Sequence, residues 1–276
     1  MKLFRRLIFL VVIGGIVGIV FFRQTEIRHF FFPSPTSVPT QKPLKFAVMG
    51  DIHLDAENFK IALEKAKTDG EDFVVVVGDL TSLGTKEELL AMKKILDESG
   101  LPYYAIPGNH DLWASNQKNS SFYRQVFGPD FQSFKKDNLK FILVNNGSFL
   151  GIKAMVGENG QNQGDWLQEE VKECVVMDCL VFMHIPLNHP RSLHVMGEGN
   201  ALVAAEAKEW VKKLVESKVK EVFAGHLHYY SAYNLEGLET TVVGAITRSR
   251  NLQSPKFLEV VKEGKNLNKK EVFLSQ

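Results

Sequence analysis

The chain carries 276 residues, 45% of them hydrophobic and 24% charged, which is ample for one large domain with a substantial core. Lysine and arginine (33) balance aspartate and glutamate (32), for a formal net charge of +1 with no basic stripe in the domain. That balance disfavours a primarily electrostatic nucleic-acid binder.

Residues 1–6 hold Lys2, Arg5 and Arg6 and lead into an uninterrupted apolar run at 7–22. The run approaches the ~20 residues of a membrane span once its flanks snorkel. The basic residues before it place the short N-terminus in the cytoplasm. Its end, Phe21-Phe22-Arg23-Gln24, offers a peptidase no pair of small residues, and no lipobox cysteine follows. The expectation is an uncleaved transmembrane signal anchor, single-pass in the cell membrane, with the domain that follows it outside the cytoplasm. Residues 23–43 repeat proline with serine and threonine, the composition of an extended, semi-rigid linker.

From 44 to 276, strand and helix signals alternate. Residues 46–49 and 73–77 are apolar runs without alternation, as in strands buried on both faces. Helical patterns follow over 56–67, 86–99, 164–174 and 201–217. The C-terminal stretch is hairpin-like, with candidate strands at 229–234, 238–243, 257–262 and 268–274. Cys174 ends one helical pattern and Cys179 begins a buried strand, positions where a free cysteine serves as a small apolar residue. Outside the cytoplasm the pair could instead form a short-loop disulfide. Free thiols are the expectation.

Seven side chains of metal-ligand type fall in five short clusters, each following an apolar run. They are Asp51 and His53, Asp79 in Gly78-Asp79, Asn109 in Gly108-Asn109-His110-Asp111, His184, and His226 with His228 in Gly225-His226-Leu227-His228. In open α/β sheets ligands bind beyond the carboxyl ends of the strands, so the repeated context points all five clusters at one edge. No single cluster could hold a metal; together they supply enough ligands for two. Mixed imidazole, carboxylate and amide donors suit Mn, Fe or Zn.

This ordered set resembles the calcineurin-like metallophosphoesterases, from about residue 44 to about residue 273. The resemblance implies an α/β fold, a four-layer αββα sandwich of two mixed β-sheets flanked by helices. It also implies two metal ions, one held by Asp51, His53, Asp79 and His228 and the other by Asp79, Asn109, His184 and His226. Two cations about 3.5–4 Å apart can clamp a phosphoryl group and activate a bridging hydroxide. By the same resemblance His110 stabilises phosphoryl oxygens or protonates the leaving alkoxide. Asp111 either orients His110 or caps the segment that follows.

The run Gly78-Asp79-Leu80-Thr81-Ser82-Leu83-Gly84 lacks the second aspartate and the arginine of the protein serine/threonine phosphatases of this superfamily. It looks more like the small-molecule branch, which includes cyclic-nucleotide phosphodiesterase-like proteins. Met183-His184-Ile185-Pro186 departs from the His-His-Pro-Pro of that branch, so cyclic-nucleotide specificity is not carried over. The expected substrate is a phosphorylated small molecule, lipid or cell-envelope intermediate, as monoester or diester. Asn188, His189 and Arg191, in the loop after His184, are candidate substrate contacts. The alternatives are a nuclease, or a catalytically silent metal-binding module; a silent relative would be expected to lack a ligand, and none is missing.

Overall fold

The computed structural model describes residues 42–115 and 119–274. The expected anchor at 7–22 lies outside the described residues, as does nearly all of the linker. Among the described residues no helix is long and apolar enough to cross a membrane.

The first half of the domain runs β1 (Leu44–Met49), α1 (Ala56–Thr68), β2 (Phe73–Val77), α2 (Lys86–Ser99), β3 (Tyr103–Ile106) and α3 (Ser121–Phe127). It continues through β4 (Gln132–Lys136), β5 (Leu139–Leu143), α4 (Gln163–Glu170), β6 (Asp178–Phe182), α5 (Ala201–Glu216) and β7 (Glu221–Ala224). Two hairpins close it, β8 (Ser231–Leu235) with β9 (Leu238–Val242) and β10 (Lys256–Glu263) with β11 (Asn266–Phe273).

Strands β1 and β2 lack polar alternation because both of their faces are buried. Phe46 and Val48 of β1 join one core while Ala47 and Met49 join another, and β2 divides likewise. One five-stranded mixed sheet has the order β11-β10-β1-β2-β3; a six-stranded mixed sheet has the order β4-β5-β6-β7-β9-β8. The two stack through an aromatic layer in which Phe46 lies 5.2 Å from Phe73 in its own sheet and 5.3 Å from Phe141 in the other. Helices α1 and α2 cover the outer face of the first sheet, burying Phe59, Leu63, Leu89 and Leu96. On the outer face of the second, α4 and α5 bury Leu167, Trp210 and Leu214. Helix, sheet, sheet, helix is the layering that the resemblance implies.

Local chemistry sets the helix ends. Thr85 accepts from the Glu88 amide at the start of α2, and Gly100 at its end takes the left-handed conformation with φ 71°. The pattern at 164–174 is divided, since α4 stops at Glu170 and a 3-10 turn covers Val171–Val175. At the end of that turn the expectation of free thiols is overturned: Cys174 and Cys179 are joined in a disulfide. Both are buried, so the cysteines serve as core residues and as a covalent link together.

Candidate metal centre

The five ligand clusters follow β1, β2, β3, β6 and β7, at the carboxyl ends of strands that run parallel within each sheet. Five of the seven candidate ligands have left-handed backbone: Asp51 (φ 54°), His53 (47°), Asp79 (53°), His226 (73°) and His228 (56°). Non-glycine residues rarely adopt this region, and such strain concentrates where side chains must be aimed at a site. The glycines beside them allow close approach. A Cβ on Gly78 would lie 2.7 Å from His184 Nδ1, and one on Gly108 would lie 2.2 Å from Asp79 Oδ1.

Ligand atoms of Asp51, His53, Asp79 and His228 come within 4.8 Å of one another, and so do those of Asp79, His184 and His226. Asp79 belongs to both groups. Its Oδ2 lies 3.5 Å from His53 Nε2 and 3.2 Å from His184 Nε2, while Oδ1 accepts from the His110 amide at 2.9 Å. Asn109 Oδ1 sits 3.1 Å from both His184 Nε2 and His226 Nδ1, adding a neutral oxygen to the second group. Across the first group His53 Nε2 and His228 Nε2 face each other at 3.0 Å, and Asp51 Oδ1 is 3.4 Å from His228 Nε2.

Backbone carbonyls fix the rings. His184 Nδ1 donates to Val77 O at 2.8 Å, His110 Nδ1 to Ser82 O at 2.8 Å and His228 Nδ1 to Arg250 O at 3.2 Å. A carbonyl only accepts, so each Nδ1 carries the proton. For His184 and His228 the Nε2 is then presented to the centre, the arrangement common to metal-ligating histidines. Asp51 is held by the His226 amide at 2.9 Å. The seven side chains therefore fit a metal pair in donor type, grouping and orientation.

Burial and mutual charge tune these groups. Burial pushes the Asp51 carboxyl up to about 6. Burial also holds the His53 ring down to about 4 against the Asp79 carboxylate beside it. Burial and the neighbouring His184 charge take His226 to about 3. His53 and His226 are thereby kept neutral, the form that ligates metals. Burial alone would lower His184, but Asp79 outweighs it and raises the ring to about 9. Burial would likewise raise Asp79; His184 and His53 instead hold it well below the usual carboxylate range.

His110 stands at the edge of the first group, its ring 4.7 Å edge-on from His53 and 4.5 Å edge-on from Trp113. Asp111 turns elsewhere. Its Oδ1 accepts from the Thr81 amide (2.9 Å) and hydroxyl (2.7 Å), and its Oδ2 from the amides of Leu80 (3.2 Å) and Gly108 (2.9 Å). It ties the loop after β2 to the loop after β3, and Ser82 does the orienting of His110. Burial and then the Asp79 charge push the Asp111 carboxyl up to about 6.

The loop after His184 is self-organised. His189 Nδ1 accepts from the amides of Arg191 and Ser192, so its Nε2 donates to Ser231 Oγ at 3.1 Å, and its ring packs edge-on against Tyr233. Asn188 gives its carbonyl to the Tyr233 hydroxyl at 2.5 Å, and Arg191 is exposed. His189 and Asn188 thus shape the loop. The orienting carbonyls of Val77, Ser82 and Arg250 escaped sequence reading, because a carbonyl leaves no mark in residue type.

Two mixed sheets with outer helices, and a buried set of carboxylates, imidazoles and an amide at the strand ends, define a metallo-dependent phosphatase-like fold. A dimetal phosphatase from Danio rerio shares it, with TM-score 0.62 and 13% identity over 85% of this chain and 98% of that one. Purple acid phosphatase PPD1 from yellow lupin (Lupinus luteus) shares it at TM-score 0.64 and 14% identity, over 86% of this chain and 53% of that one. In sequence, the serine/threonine-protein phosphatase CPPED1 of Bos taurus is 28% identical over 188 residues, 63% of this chain and 58% of its own length. The chain spans about half the length of further curated relatives that it matches. The calcineurin-like phosphoesterase family model matches residues 44–230, and the chain belongs to that family.

Proposed function

We propose that the chain hydrolyses phosphoesters at a pair of metal ions. The observation that carries this reading is Asp79 Oδ2, a single carboxylate oxygen shared between two groups of ligand atoms. One ion would be held by Asp51, His53, Asp79 and His228, the other by Asp79, Asn109, His184 and His226, with Mn, Fe or Zn matching the donor set. When bound, such a pair supplies positive charge that polarises a phosphoryl group and acidifies water.

The chain's own residues supply the rest. Asn109 contributes an oxygen without charge, so the centre keeps net positive charge for an anionic substrate. The carboxylates Asp79 and Asp51 are immobilised by the amides of His110 and His226, which fixes the ligand spacing before substrate arrives. His110 keeps its Nδ1 proton on Ser82 O, so Nε2 is the atom that exchanges. Nε2 would pass a proton to the leaving oxygen as water bonds to phosphorus and the P–O bond to that oxygen breaks. Trp113 packs edge-on against that ring and restricts its tilt. The apolar run at 7–22 supports placing this activity at a membrane surface, outside the cytoplasm.

The test pairs p-nitrophenyl phosphate with bis-p-nitrophenyl phosphate after chelation, with Mn, Fe, Zn, Co or Mg then added back. Turnover that appears only with metal is the expected result, and the ratio of rates separates monoesterase from diesterase. A chelated enzyme as fast as the metal-loaded one would overturn the reading.

A further inference from the structure

A cleft of about 370 Å³ opens beside the second ligand group, with Asn109 and His226 in its wall. The remaining wall mixes apolar side chains (Phe149, Ile185 and Val195, with the largely buried Met196 and Val203 behind them) with Ser148, Glu198, Asn200 and three glycines. Among the described residues no lysine or arginine lines it, and the carboxylate that does is Glu198. The start of α5 also borders the cleft, but its N-terminal amides are taken. Asn200 Oδ1 accepts from Leu202 at 3.1 Å and from Val203 at 3.3 Å. A second anionic group on the substrate would meet Glu198, which pairs with His194 at 2.9 Å, would find no lysine or arginine in the wall, and would meet a helix terminus already capped by Asn200.

The cleft is pre-formed. The Met196 amide donates to Pro186 O at 2.9 Å, and the Glu198 and Asn200 amides close successive turns onto Val195 O and Gly197 O. Gly197 takes φ +91°, and a Cβ there would lie 2.2 Å from the Ala204 amide nitrogen, so this turn is pressed against α5. Leu193 and Leu202 flank the turn and are 85% and 84% exposed. Phe149, in the cleft wall, is itself 49% exposed, so large apolar side chains stand open to solvent both in the wall and in the segments beside it.

We infer that this cleft receives the alcohol portion of the substrate, and that this portion is uncharged and apolar. The inference rests on the phosphoesterase reading and narrows it to amphiphilic, lipid-like phosphoesters rather than nucleotides or sugar bisphosphates. Burial of successive methylenes against these walls would add affinity in proportion to chain length.

Non-hydrolysable alkylphosphonates test this without turnover. Calorimetry on the metal-loaded full chain would compare methylphosphonate with hexylphosphonate, and the readout is the ratio of their Kd values. Wild type is expected to bind the hexyl compound at least tenfold more tightly. Phe149→Asp and Val195→Asp should each abolish that preference, whereas Val176→Asp, at an exposed position just after the 3-10 turn that follows α4, should keep it. A Kd ratio near one in wild type, a preference that survives both cleft variants, or no phosphonate binding at all would each overturn the inference. Turnover of p-nitrophenyl phosphate by the same preparation reports separately on hydrolysis. A chain-length preference without turnover would sink the hydrolytic reading and leave the apolar cleft standing; turnover without preference would do the reverse.

Discussion

Both oxygens of Asp79 are committed, Oδ1 to the His110 amide and Oδ2 to the space between His53 and His184. Asp79→Asn replaces one acceptor by an NH₂ group and removes the shared charge, so metal content and turnover should fall together. Elemental analysis of the purified variant decides it: two ions retained with normal turnover would exclude the sharing. His110→Ala should separate the same two quantities, keeping both ions while turnover drops by about 10²–10⁴-fold. Metal lost from that variant would mean the ligand assignment is wrong. Asp111→Ala belongs with the scaffold. It strips the acceptor from three buried amides and the Thr81 hydroxyl, at a cost on the order of 2–4 kcal/mol. A denaturant midpoint unchanged from wild type would refute that clamp. Which side chains gather at the centre was legible in the sequence, because it resides in side-chain type and spacing. The left-handed backbone that aims five of those side chains was not, since Asp and His carry no sign of a positive φ.

Elements whose stability is local were legible nearly to the residue. Helix α2 begins after a Thr85 cap and ends at Gly100, and the apolar run of β2 is bounded by charged and glycine residues. Others were not. β4, with sequence QSFKK, pairs with the adjacent β5 as a hairpin, but as an edge strand with exposed lysines it lacks the apolar run that marks a buried strand. The two C-terminal hairpins looked equivalent, yet β9 joins β7 while β10 crosses to pair antiparallel with β1. The cysteine pair was misread for a similar reason, because helical periodicity carried the third pattern past the point where α4 stops. The 3-10 turn beyond it brings Cys174 to a Cα–Cα distance of 5.3 Å from Cys179. A loop that short removes little denatured-state entropy, so the double substitution Cys174→Ala with Cys179→Ala should cost about 2 kcal/mol. Turnover should be unchanged, because Cys179 lies at the start of β6 and His184 just beyond its end. Equal loss of stability and activity would instead tie the link to the centre.

Across the whole molecule, the carboxyl ends of the strands carry strained backbone and buried charge, and the sheets' layered cores hold them in place. A second buried charge problem lies at the opposite edge. Glu71, between α1 and β2, has its side chain fully buried and no hydrogen-bond partner for either oxygen among the described residues. Lys45 is 3.9 Å away but already engaged with Glu259 at 2.5 Å and with Asp69 O at 2.7 Å. Burial therefore pushes the Glu71 carboxyl up to about 8, with Lys45 only partly opposing it and Glu259 adding to it. The unfolded chain has the ordinary value of 4.5. Between those values the unfolded state gives up its proton first, so this contribution is fully present below about 4.5 and lost as pH rises through about 8. The full swing is on the order of 5 kcal/mol. Glu71→Gln keeps a neutral group of the same shape at every pH. Its melting temperature should match wild type near pH 4.5 and exceed it by several degrees at pH 8. Taking the difference between the two proteins removes the titrations of Asp51, Asp111 and the histidines, which both share. A difference that stays flat from pH 4.5 to 8 would mean that Glu71 is ionised in the folded chain, with Lys45 as its true partner.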